Sequence, residues 1–159
     1  MEGKNIYRDY SVMCPEFREG IISLAEGDHD AALHSFAQAN LLTQSDDIFK
    51  NKYQSFYGLA LVYTGQSRGI RLCHSSAVDE TSDGDVFYNL ARGELELGNR
   101  RTAIEALKRG LDIDESHPGL IHLRQRIGIR RKCALPFLAR NNLLNKLIGK
   151  LTYNRPQTI

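Results

Sequence analysis

Apolar residues along most of this chain recur three and four positions apart, the spacing of one face of a helix. In the stretch LARGELELGNRRTAIEALKRGL (90–111), Leu90, Leu95 and Leu97 predict the apolar line of one helix, and Ala103, Leu107 and Leu111 that of the next. Gly98-Asn99 between them is a stop signal, because both residues tolerate the left-handed backbone that closes a helix. Small side chains at Ala91, Ala103 and Ala106 let two helices approach closely. The same plan occurs twice earlier, in EGIISLAEGDHDAALHSFAQA around Gly27 and YGLALVYTGQSRGIRLCHSSA around Gly65. The glycines are spaced 65−27 = 38 and 98−65 = 33 residues apart, close to the ~34-residue period of a helix–turn–helix repeat. Neither helix of such a pair can bury its apolar stripe alone, so neighbours must stack. No run alternates polar and apolar residues, so no sheet is expected.

The third of these segments resembles a tetratricopeptide repeat (TPR). The slots of that motif hold Phe87, Leu90, Ala91, Gly98, Ala103, Leu107 and Gly110, followed by Leu111-Asp112-Ile113-Asp114, and Pro118 opens the next helix. The first segment fits through Gly20, Gly27, Ala32, Phe36, Ala39 and Leu42. The second keeps Gly58, Leu61 and Gly65 but has Ile70 and His74 in the small and aromatic slots. The resemblance covers residues 13–117 as three units, about 13–46, 51–84 and 84–117, with residues 1–12 preceding them. It implies an all-α fold, a right-handed α-solenoid of about three TPR-like helical hairpins with C-terminal capping helices. It also implies a non-catalytic scaffold, an adaptor or chaperone-like protein that binds a peptide or protein segment in a concave groove. Small bacterial chaperones for secretion translocators are similar in size and plan.

Counted from the unit starts at Met13, Asn51 and Gly84, the groove positions of the family fall on Phe17, Ile21 and Leu24, then on Leu59, Val62 and Tyr63, then on Tyr88, Arg92, Leu95 and Glu96. A pseudo-repeat from Pro118 adds His122, Arg126 and Arg130. The N-terminal segment, with Ile6, Tyr7 and Tyr10, is an alternative filler of this face, and Phe17, Leu59 and Val62 serve equally well as core. TPR domains that clamp acidic chaperone tails carry Lys, Asn and Arg where this chain has Phe17, Ile21, Phe56, Asp85 and Asn89, so that subclass is not expected.

Charge divides the chain. Residues 1–117 hold 12 Lys or Arg and all 19 acidic residues, 12−19 = −7, whereas residues 118–159 hold nine basic residues and no acidic one, +9. A helix from Pro118 to about Lys132 presents Leu120, Ile121, Leu123 and Ile127 on one side. Beyond Pro136, Asn141 or Asn142 caps LLNKLIGKL (143–151), where Leu144, Leu147, Ile148 and Leu151 oppose Asn145, Lys146 and Lys150. Arg130, Arg131, Lys132, Arg140, Lys146 and Lys150 form a basic tail. It reads first as a cap for the exposed flank of the array. The alternative is a peripheral element on an anionic membrane surface, worth ~1 kcal/mol per cation. A self-association module giving a homo-oligomer is a third reading, and nucleic-acid binding is the weakest, since Phe137 and Tyr153 are the only nearby aromatics for base stacking.

Composition adds little: 159 residues, 42% hydrophobic, fit one ordinary globular domain. No stretch approaches the ~18 apolar residues of a membrane span, and MEGKNIYRDYSVM lacks the apolar core of a secretion signal. Cys14, Cys73 and Cys133, odd in number and scattered, point to reduced thiols in the cytoplasm. Arg130, Arg131 and Lys132 would lower the pKa of an exposed Cys133. The five histidines make no metal spacing with the cysteines, and His29, in Asp28-His29-Asp30, is expected to be a solvated or capping turn residue. With no phosphate loop and no nucleophile elbow, neither enzyme activity nor a cofactor or metal is expected.

Overall fold

A computed structural model describes residues 6–128. All regular structure among them is helical: α1 (Pro15–Glu26), α2 (His29–Leu42), α3 (Lys50–Tyr63), α4 (Gly69–Ala77), α5 (Gly84–Glu96), α6 (Arg100–Ile113) and α7 (Pro118–Ile127), preceded by short 3-10 turns at Ile6–Arg8 and Tyr10–Val12. The chain divides into two units, residues 1–127 and 128–159, not one. The tail residues Arg130, Arg131, Lys132, Cys133, Arg140, Lys146 and Lys150, and the helix expected over 143–151, lie outside the described residues.

Helices pair in chain order, α1 with α2, α3 with α4 and α5 with α6. Each pair then meets the next, α2 and α3 in contact, then α3 and α4 against α5, then α7 against α5 and α6. The turns inside the pairs are built alike. Gly27, Gly65 and Gly98 have φ of 82°, 79° and 79°, a region where a side chain would clash with the backbone. Each glycine N–H bonds a carbonyl three residues back, and the N–H of the following Asp28, Gln66 or Asn99 bonds one five residues back, at 2.9, 2.8 and 2.7 Å. This pair of hydrogen bonds is the Schellman closure, which satisfies orphan carbonyls at the helix end. Asp28 then caps α2, its Oδ1 accepting from the Ala31 N–H at 2.9 Å.

The second turn departs from the others. Helices α2 and α6 begin two residues after their glycine, α4 begins four after Gly65. The small-residue contact of this pair is therefore made by Gly69 and Cys73, not at the Ile70 and His74 slots. A Cβ on Gly69 would stand 2.2 Å from the Gly58 carbonyl, and one on Gly58 would stand 2.9 Å from the Cys73 sulfur. His74 instead reaches Glu94 on α5 with its Nε2 at 2.5 Å.

An aromatic cluster fills the first half. Phe17, wholly buried, packs edge-on to Phe56 with ring centres 5.0 Å apart, and meets Phe36 at 5.4 Å and Tyr53 at 4.9 Å. Edge-to-face geometry is favoured by the ring quadrupoles. In the second half, Val86, Phe87, Leu90 and Ala91 of α5 join Ala103, Leu107 and Leu120 in the core. Leu97 does not extend the α5 stripe, since it lies past the end of the helix and is exposed.

Candidate functional site

The groove residues separate into two groups. Phe17 and Leu59 are fully buried core side chains with no surface to offer, and Val62 is buried too. Ile21 and Leu24 of α1 and Tyr88 and Arg92 of α5 come together instead. With Tyr10, Ala25, Phe56 and Asp85 they line an open cavity of about 210 Å³. That volume is below the ~300–1,000 Å³ of typical small-molecule sites and matches a few side chains. Apart from Tyr10 of the N-terminal turn, its walls come from the first helix of each pair. Tyr63 stands beside it, its hydroxyl accepting from Arg92 Nε at 2.9 Å. Arg126 is exposed on α7 and does not line it.

Arg92 is held by aromatic rings. Its guanidinium carbon lies 5.2 Å from the ring centres of both Tyr63 and Tyr88, within the range of cation–π attraction. Tyr63 in turn stacks on His29, ring centres 4.7 Å apart and planes 25° apart. This corrects the expectation for His29, which supports the groove side chains while Asp28 does the capping. Burial pushes the Tyr63 hydroxyl above its usual pKa, against the opposing charge of Arg92.

Beneath the cavity lies a buried polar cluster that spacing alone did not reveal. Lys52 of α3 is 1% exposed. Its ammonium donates to the Tyr7 carbonyl and to Asp85 Oδ2, each at 2.5 Å, and sits 3.1 Å from Asp83 Oδ2. That Asp83 oxygen has no hydrogen bond of proper angle. Asp85 Oδ2 also accepts from the Tyr10 hydroxyl at 2.9 Å, and Asp85 Oδ1 from His117 Nε2 at 2.9 Å. His117 Nδ1 accepts the Leu120 N–H at 3.1 Å, capping α7. An accepting Nδ1 places the donated proton on Nε2, facing Asp85.

The two carboxyls are driven apart. Burial raises both, but for Asp85 the hydrogen bond from His117 and the charge of Lys52 outweigh it, leaving the pKa lowered to about 2. For Asp83 burial dominates, Lys52 offsets it in part, and the pKa is raised to about 6. Arg8 closes the cluster at the surface through a forked pair with Asp114, and it also donates to Ser116 at 2.9 Å. The N-terminal segment, through Tyr7, Arg8 and Tyr10, thus ties α3, α5 and the α6–α7 turn together.

Cys73 is buried, and burial raises its thiol to about 12, so it is unreactive. Among the described residues no group of three or more His, Cys, Asp or Glu is placed to hold a metal ion, and no helix is long and apolar enough to cross a membrane. Compared with known proteins, the chain matches no family and no curated protein.

Proposed function

We propose that this chain is a non-catalytic, TPR-like scaffold, a right-handed α-solenoid that binds a peptide or protein segment as an adaptor or chaperone. The observation that carries the reading is the cavity whose walls, apart from Tyr10, come from α1, α3 and α5, the first helix of each pair. Stacked helical hairpins present their first helices along one face, and that face is where such arrays bind extended segments. The repeated turn geometry at Gly27, Gly65 and Gly98 supports the stacking. Tyr and Arg at the cavity are residue types that dominate binding hot spots. A cytoplasmic site of action is part of the proposal, resting on the scattered cysteines.

The test is affinity capture from native lysate with the full-length chain and a Leu24→Glu variant. Leu24 is only half-buried, so the variant should keep its helical circular dichroism. The same protein partner should be retained by the parent and lost by the variant. Equal capture by both removes the groove as the binding surface.

A further inference from the structure

Among the described residues Arg92 is a cation without an anion. No carboxylate of the described residues lies within ion-pair distance of it, and its contacts are the Tyr63 hydroxyl and the two tyrosine rings. The other charged residue of the cavity, Asp85, is fully engaged by Lys52, Tyr10 and His117. The remaining lining is apolar or aromatic. With Nε committed to Tyr63, the terminal nitrogens of the guanidinium keep free donors in a planar fork, the arrangement that fits a carboxylate. The tyrosines fix the side chain in advance, so little rotamer entropy remains to be lost on binding.

We infer that Arg92 reads one Asp or Glu side chain of a partner segment whose neighbouring apolar residue seats against Ile21 and Leu24. This rests on the reading of the cavity as a peptide-binding surface. A single carboxylate matches the one cation of the cavity lining, whereas a doubly charged phosphate would stand uncompensated beside the Asp85 carboxylate. The cavity is open and, apart from Tyr10, takes its walls from α1, α3 and α5, and the acid is assigned as a side chain of a segment lying across them, not as a chain end.

The full-length chain is panned against displayed random peptide segments joined at both ends. Enriched segments should carry Asp or Glu next to a large apolar residue. Changing that acid to its amide should weaken binding to the parent protein about tenfold or more, as expected for a charge-assisted hydrogen bond. The same change should have no effect on binding to an Arg92→Gln variant. If the variant does not fold, the acid-to-amide change on the parent protein decides alone. If segments are enriched but the acid is dispensable, the role of Arg92 falls and the groove stands. A preference confined to free chain ends overturns the side-chain assignment. If nothing is enriched, the inference and the groove reading both fall.

Discussion

Lys52 shows most directly what one residue can cost or contribute here. Its charge is out of water, compensated among the described residues by Asp83, Asp85, the Tyr7 carbonyl and the face of the Tyr10 ring, whose centre lies 5.3 Å away. Removing one partner of such a group leaves the others buried and unpaired, at a cost of about 3–5 kcal/mol. Lys52→Met should lose about that much stability in urea unfolding followed by circular dichroism. The carboxyls give a pH signature of opposite signs. Asp85, held at about 2, contributes stability that is present above the ordinary carboxyl pKa and lost as pH falls toward 2. Asp83, raised to about 6, contributes stability that is present below the ordinary value and lost as pH rises through 6. Asparagine at position 83 retains an oxygen to accept the Asp85 N–H that Asp83 Oδ1 now holds at 3.0 Å. Between pH 4 and 6.5 the parent should therefore lose stability relative to Asp83→Asn, and parallel urea midpoints for the two would contradict this. None of this was legible as a site. The sequence marks Lys52, Asp83, Asp85 and His117 only as polar residues on separate segments, and burial of a charge is decided by what packs over it.

At the scale of elements, the hairpins were the most readable part of the chain. Apolar spacing locates α5 and α6, and the left-handed glycines stand where the chain reverses. The α3–α4 pair was misread by one residue. Ile70 and His74 follow Gly65 by the same intervals that place Ala103 and Leu107 after Gly98, but the longer turn shifts the inward face to Gly69 and Cys73. Those two are themselves four residues apart, so the signal was present. What was missing was the start of α4. Two glycine substitutions should separate turn chemistry from packing. A Cβ on Gly98 meets nothing within 4 Å, so Gly98→Ala should cost only the left-handed backbone, about 1–2 kcal/mol. Gly69→Ala drives a carbon to 2.2 Å from the Gly58 carbonyl. It should reach the top of the about 1–3 kcal/mol range for overpacking, or exceed it. Urea midpoints rank the two, and a Gly69→Ala midpoint above that of Gly98→Ala would contradict the close α3–α4 approach.

Across the described residues as a whole, the N-terminal segment acts as a strap. Arg8 to Asp114 and Tyr10 to Asp85 join positions 106 and 75 residues apart in sequence. The double variant Arg8→Ala/Tyr10→Phe should lose about 2 kcal/mol, taking about 1 for each set of hydrogen bonds. For a chain of this size that corresponds to a Tm lower by about 4–8 °C, and an unchanged Tm would show the strap to be dispensable. Of the groove residues, Ile21, Leu24, Tyr88 and Arg92 meet at the cavity, while Phe17 and Leu59 are core. The sequence by itself determined that the described chain is helical, where its pairs turn, and which residues were candidates for a shared face. Those follow from local backbone preference and the helical period, which act within a few residues. Only the tertiary structure decided which flank of α1, α3 and α5 is covered. It also set Arg92 between two tyrosines and sealed Lys52 beneath a strap that lies 45 positions earlier in sequence. Those depend on contacts between residues tens of positions apart, which no local spacing encodes.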